Sequence, residues 1–141
     1  MTISGTAQNA TCAGAANGSV SITVAGGSGN KTYAWSNGGT TATISNLAAG
    51  SYSVTVTDAA GCTANASYTV TAPAALAITG NATNVTCAGM SNGSIAATAT
   101  GGTGNKTYSW SNGASGSMLS NAGAGAYTVT ATDANGCTAS A

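Results

Sequence analysis

The chain has no Phe, His, Arg or Glu, and only 3% of its 141 residues are charged. The four charges are Lys31, Lys106, Asp58 and Asp133. These absences remove most enzyme chemistry, because general acid–base work draws mainly on His and Glu, and here each Asp stands alone in its stretch. A net charge of zero leaves no electrostatic footprint for nucleic acid or an anionic membrane surface. No apolar run approaches the roughly 20 residues that a membrane helix requires. Nothing after Met1 has the form of a signal peptide. No cofactor site and no metal site is expected. Zinc usually takes a C-x₂₋₄-C spacing, which the chain lacks.

What is present is a hydrophobic fraction of 43%, 21 Gly, and Val, Ile, Tyr and Trp at regular positions among Thr and Ser. Low charge alone would suit disorder, but this apolar content suits a buried core. Shifting the chain by 75 residues aligns it with itself without a gap, and about 33 of the 55 positions from Cys12 to Ala66 are identical. Cys12 falls on Cys87, Trp35 on Trp110, Asp58 on Asp133 and Cys62 on Cys137. The expected units are 1–75 and 76–141, with Pro73, the only proline, in a short non-helical linker at the seam.

Within a unit the apolar period is two, the mark of half-buried strands. Val20, Ile22 and Val24 alternate with Ser and Thr, as do Tyr52, Val54 and Val56, and Tyr68 and Val70. With Met1 and Ile3, Tyr33 and Trp35, and Ile44, these make about six short strands separated by Asn/Gly turns. The stretch from Leu47 to Asp58 has the look of a tyrosine corner built on Tyr52, and Tyr127 repeats it. The expected fold is all-β, two tandem immunoglobulin-like Greek-key sandwiches with Trp35 and Trp110 in their cores. A β-helix or solenoid is the alternative, although a 75-residue period is long for its coils.

Four cysteines allow three pairings. Only Cys12 with Cys62 and Cys87 with Cys137 would let each unit fold alone, each closing a loop worth about 4 kcal/mol in the chain-entropy model. Disulfides imply an extracellular, cell-surface setting.

The second unit has small residues at inward positions. Ile22, Val24, Leu47 and Val56 become Ala97, Ala99, Ala122 and Ala131. Each such change in a fixed core costs roughly 2–5 kcal/mol, so neighbouring subunits are expected to bury what this core does not. Ala141 aligns with Ala66, so the second unit is expected to lack its last strand. An arbitrary end to the sequence is the plainer explanation; the alternative is that open backbone at Ala139, Ser140 and Ala141, and at the first strand of unit 1 (Met1, Thr2, Ile3, Ser4), is the candidate assembly edge for other copies of the chain.

The ordered set Thr11-Cys12-Ala13-Gly14, Asn17-Gly18-Ser19-Val20, Gly26 through Gly38 with Tyr33-Ala34-Trp35-Ser36-Asn37-Gly38, Leu47 to Thr57, and Asp58-Ala59-Ala60-Gly61-Cys62-Thr63 resembles the SprB repeat. The second copy matches from Thr86-Cys87 to Asp133-Ala134-Asn135-Gly136-Cys137-Thr138. The family builds tandem arrays in surface adhesins and gliding-motility proteins of Bacteroidota. The resemblance implies an extracellular, immunoglobulin-like spacer or adhesive stalk, often exported by the type IX system, with no catalytic residues to carry over. The chain departs from the pattern at Asn30 and Asn105, each followed by Lys where the family often has Pro and an aromatic, and at Ala122-Gly123-Ala124-Gly125.

Other readings of single features are weaker. Trp35, Trp110, Tyr33 and Tyr108 could stack on sugars, but a core Trp is the commoner outcome in such sandwiches. Asp58 and Asp133 could ligate calcium, but one carboxylate per unit is far short of a calcium shell, and capping of a turn is favoured. Thr-x-Thr runs could bind ice, but exposed Thr is ordinary strand composition. Asn-x-Ser/Thr sites at Asn9, Asn17, Asn30, Asn65, Asn81, Asn84, Asn92 and Asn105 follow from composition, while glycosylated Ser or Thr would help keep an uncharged surface soluble. The expected function is a non-enzymatic structural module that self-associates end to end. A glycan-binding adhesion module is the alternative.

Overall fold

The computed structural model describes all 141 residues. They form two compact units, Met1–Ala72 and Pro73–Ala141, which places the linker with unit 2. Unit 1 has six strands: β1 (Thr2–Gln8), β2 (Gly18–Ala25), β3 (Thr32–Trp35), β4 (Thr43–Leu47), β5 (Gly50–Thr57) and β6 (Thr63–Val70). They pair antiparallel in two sheets, β1-β2-β4 and β3-β5-β6. The chain changes sheet after β2, β3 and β4, an order consistent with the immunoglobulin-like Greek key.

The period-two pattern sets the inward face. Val20 and Ile22 on β2, Val54 and Val56 on β5, and Val70 on β6 are buried with Trp35, Ile44 and Leu47. The intervening hydroxyls face out and bond across strands, Ser21 to Thr43 at 2.9 Å and Thr55 Oγ1 to Asn65 Oδ1 at 2.7 Å. On β4, Asn46 takes the left-handed conformation (φ 57°), and the β2–β4 register slips there, with Gly18 opposite Leu47 and Ser19 opposite Ser45. This is a bulge, and Asn suits it because its short polar side chain tolerates positive φ better than most. Gly18 is required for a different reason: a Cβ there would lie 2.5 Å from a Val70 methyl carbon, so bare backbone admits the end of β6 to the core.

Unit 2 repeats the plan with β7 (Ala77–Thr83), β8 (Gly93–Thr100), β9 (Thr107–Trp110), β10 (Met118–Ala122), β11 (Val129–Thr132) and β12 (Thr138–Ser140). Its sheets are β7-β8-β10 and β9-β11-β12, and Asn121 (φ 54°) repeats the bulge. The last strand, expected to be missing, is present in part. β12 pairs with β11 from Thr138 to Ser140, and Ala141 continues the pairing by two backbone bonds to Val129, of 2.9 and 3.0 Å. The structure is therefore all-β throughout.

Candidate functional site: the two ends of each unit

Each unit has a leading end, where the chain enters, and a trailing end, where it leaves. In unit 1 the leading end gathers Met1, the Gly26–Gly29 turn and the turn from Asp58 to Cys62. Thr2 pairs with Ala25, and a Cβ on Gly27 would lie 3.2 Å from Met1 Sδ. Asp58 organises this end. Its Oδ2 accepts from Ser28 N–H (2.8 Å) and its Oδ1 from Ala60 N–H (3.0 Å) and Cys62 N–H (2.9 Å). These bonds favour the ionised form, with the Ser28 and Cys62 amides leading, and hold the carboxyl below its ordinary value against an opposing effect of burial. Lys31 adds a small attraction in the same direction.

Asp133 does the same in unit 2, accepting from Thr103 (2.7 Å), Asn135 (2.9 Å) and Cys137 (2.9 Å). Its carboxyl is likewise lowered, first by the Thr103 amide. Three backbone donors per carboxylate make each Asp a clamp on its turn. No group of three or more His, Cys, Asp or Glu that could hold a metal ion is found.

The trailing end of unit 1 gathers the loop after β1 and the end of β6. Ala10 N–H donates to Thr71 O (2.8 Å), and Thr71 N–H donates to Asn9 Oδ1 (3.0 Å). The loop carrying Cys12 is tied by Asn17, whose Oδ1 accepts from Thr11 N–H (3.0 Å) and whose Nδ2 donates to Thr11 Oγ1 (2.6 Å). In unit 2, Asn92 ties the loop carrying Cys87 to Thr86 in the same way, at 3.1 and 2.7 Å.

This geometry corrects the cysteine pairing. Cys12 lies beyond the Gly18 end of β2 and Cys62 beyond its Ala25 end. Eight residues of strand separate the two ends by about 23 Å, whereas a disulfide needs Cα atoms within about 7 Å. The same holds for Cys87 and Cys137 across β8. Cys62 and Cys87 are exposed free thiols, and Cys12 and Cys137 are the oxidised cysteines. Neither within-unit loop is closed, so the stabilisation assigned to those closures does not operate. The deciding signal is positional: the T-C and D-x-x-G-C motifs mark opposite ends of one unit.

The two tryptophans belong to the interior, whereas Tyr33 and Tyr108 are half-buried. Trp35 and Trp110 are only 4% and 3% exposed, which leaves neither ring face for a sugar. Trp35 Nε1–H donates to Thr41 O (2.8 Å) and Trp110 Nε1–H to Gly116 O (2.9 Å). Tyr52 Oη donates back to Ala48 O (2.9 Å) and Tyr127 Oη to Gly123 O (3.2 Å), the geometry of a tyrosine corner. Of the candidate assembly edge, Thr2, Ile3 and Ser4 lie on β1 and Ala139 and Ser140 on β12, both outermost in their sheets. Met1 precedes β1 and Ala141 follows β12.

Unit 2 also has an open pocket of about 280 Å³ lined by Gly93, Ile95, Ala122, Gly123 and Tyr127 among others. No helix is long and apolar enough to cross a membrane.

The family model described as SprB repeat matches twice, at residues 4–40 and 79–115, once in each unit and over just more than half the chain. Both matches run from the first strand through the Trp that ends the third. A search of the curated proteins finds no match.

Proposed function

The chain belongs to the SprB repeat family, and from that premise we propose that it is a non-enzymatic, extracellular building block of a cell-surface filament or adhesin stalk, joined end to end with other copies of itself. The family is a structural repeat family, and it points to a surface-adhesin or gliding-motility role. The observation that carries the reading is the opposed placement of chain entrance and exit in unit 1. Met1 sits at one end of the sandwich and Thr71 at the other, so unit 1 carries the chain across its own length. The duplicated turns, clamps and corners make that unit a repeating spacer. The outermost strands β1 and β12, each hydrogen-bonded to a neighbouring strand on one side only, offer a second means of joining copies.

Electron microscopy of native, non-reduced material tests this. Regular fibres with an axial repeat of one or two sandwich lengths are expected. A field of monodisperse two-bead particles would remove the polymer and leave a stalk spacer alone.

A further inference from the structure

We infer that Cys62 and Cys87 join successive copies of this chain through an intermolecular disulfide, the Cys87 thiol of one copy bonding to the Cys62 thiol of the next. The inference rests on the end-to-end reading above and names the chemistry of that junction.

The argument starts from the duplication. Every cysteine occupies one of two settings. The trailing-end setting is a loop tied by Asn to a Thr preceding the cysteine, and it holds Cys12 and Cys87. The leading-end setting is a turn clamped by Asp through the cysteine's own N–H, and it holds Cys62 and Cys137 with the same 2.9 Å bond. One cysteine of each setting, Cys12 and Cys137, is oxidised. The two left as thiols are again one of each setting, trailing-end Cys87 and leading-end Cys62. Each free thiol is thus presented by a structural duplicate of a loop whose cysteine forms a disulfide in this same protein.

Access fits as well. Both thiols are exposed, as attack on a disulfide requires. Beside Cys87 stands Met90, half exposed, its N–H bonded to Cys87 O at 3.2 Å, where unit 1 has Ala15. The Cys62 turn is made of small residues, Ala59, Ala60 and Gly61, with no bulky side chain to fend off a partner. The pairing is heterologous, a trailing end with a leading end, so it propagates and does not close on a dimer.

The bond forms by thiol–disulfide exchange with a small-molecule disulfide RSSR of the oxidised-glutathione class. The Cys62 thiolate attacks one sulfur of RSSR, giving a mixed disulfide and expelling RS⁻. The Cys87 thiolate of the next copy then attacks the Cys62 sulfur and expels the second RS⁻. Both leaving thiolates take up the protons that the two cysteines gave up. The balance is RSSR plus two Cys–SH giving one Cys–S–S–Cys and two RSH, with the cysteines oxidised and RSSR reduced.

The test uses the whole chain, with oxidised glutathione as the reagent, read by non-reducing electrophoresis and by mass spectrometry of chymotryptic peptides. A ladder of oligomers is expected, collapsed by dithiothreitol, with a linked peptide containing Cys62 and Cys87. Cys62→Ser and Cys87→Ser variants should each stay monomeric alone and give only a dimer when mixed, because each retains one complementary thiol. Links of Cys62 to Cys62 or Cys87 to Cys87, or the Cys62–Cys87 link confined to monomers, overturn the inference. So do fibres seen by microscopy in the Cys62→Ser/Cys87→Ser double variant at wild-type abundance and length, although end-to-end assembly then stands without the covalent bond. Absence of both ladder and fibres in the wild type overturns the two readings together.

Discussion

The two units keep the same polar framework and differ in the core beneath it. The Asp clamp, the bonded Trp indole, the tyrosine corner and the Asn bulge recur with nearly the same geometry. The interior does not. Unit 1 fills it with Val20, Ile22, Leu47 and Val56, whereas unit 2 has Ile95, Ala97, Ala122 and Ala131 at those places. Ile95 is only partly buried, although its counterpart Val20 is fully enclosed. The shared framework accompanies the same topology in both units, and the difference in core volume predicts that unit 2 holds it less firmly.

The sharpest break of the comparison is at the tryptophans. Trp→Ala in a core costs about 3–5 kcal/mol, and here it would also leave a carbonyl without its indole donor. Calorimetry of the whole chain should show unit 2 melting first. Trp110→Ala should abolish that lower transition, whereas Trp35→Ala should lower the upper one without abolishing it.

Exchanging a core residue between units comes next. Leu47→Ala should cost unit 1 about 2–5 kcal/mol. Ala122→Leu, beside the pocket, should raise the unit 2 transition by up to about 2 kcal/mol at roughly 0.8 kcal/mol per added carbon. A fall on Ala122→Leu would show that the pocket is not unfilled core.

The Asp clamps should show the units behaving alike. Both carboxyls are lowered in the folded state, so their contribution is full above the unfolded value near pH 4 and is lost as the pH falls through the folded values. Acid should weaken both transitions below about pH 4. Asp58→Asn and Asp133→Asn should each flatten that dependence in its own unit only, as denaturant midpoints measured from about pH 2 to 7 will report. The smallest effects are expected at the tyrosine corners, where Tyr52→Phe and Tyr127→Phe should each cost about 0.5–1.5 kcal/mol.

Much of this was legible from sequence because it is local. Alternation along Val20–Val24 and Tyr52–Val56 gives strands and their inward faces, and a shift of 75 gives the duplication. Trp35 in the core follows from the parity of its strand. The cysteine ends were not legible, since they depend on how often the chain crosses the sandwich. Four full strands between Cys12 and Cys62 would bring the chain back to its starting end. β3 and β4 instead cover four and five residues and run in the same direction, each antiparallel to its full-length partner, so together they cross once. The length of a short strand is decided by packing, and no periodicity in Thr32–Leu47 declares it. The bulges at Asn46 and Asn121 were hidden for a similar reason, as a single left-handed residue leaves no mark on an alternating pattern.

The opposed positions of Met1 and Thr71 determine how unit 1 carries a pull. Tension applied through the chain runs along the strand axis and draws β1 back past β2. The seven β1–β2 residue pairs, from Thr2↔Ala25 to Gln8↔Ser19, then meet the force together, because antiparallel hydrogen bonds lie across the strands. A hairpin pulled from its two open ends would unzip bond after bond, but a strand dragged lengthwise must break its whole row at once. Under load the unit is thus a shear joint, and its lifetime is set by the rate of unfolding rather than by its equilibrium stability.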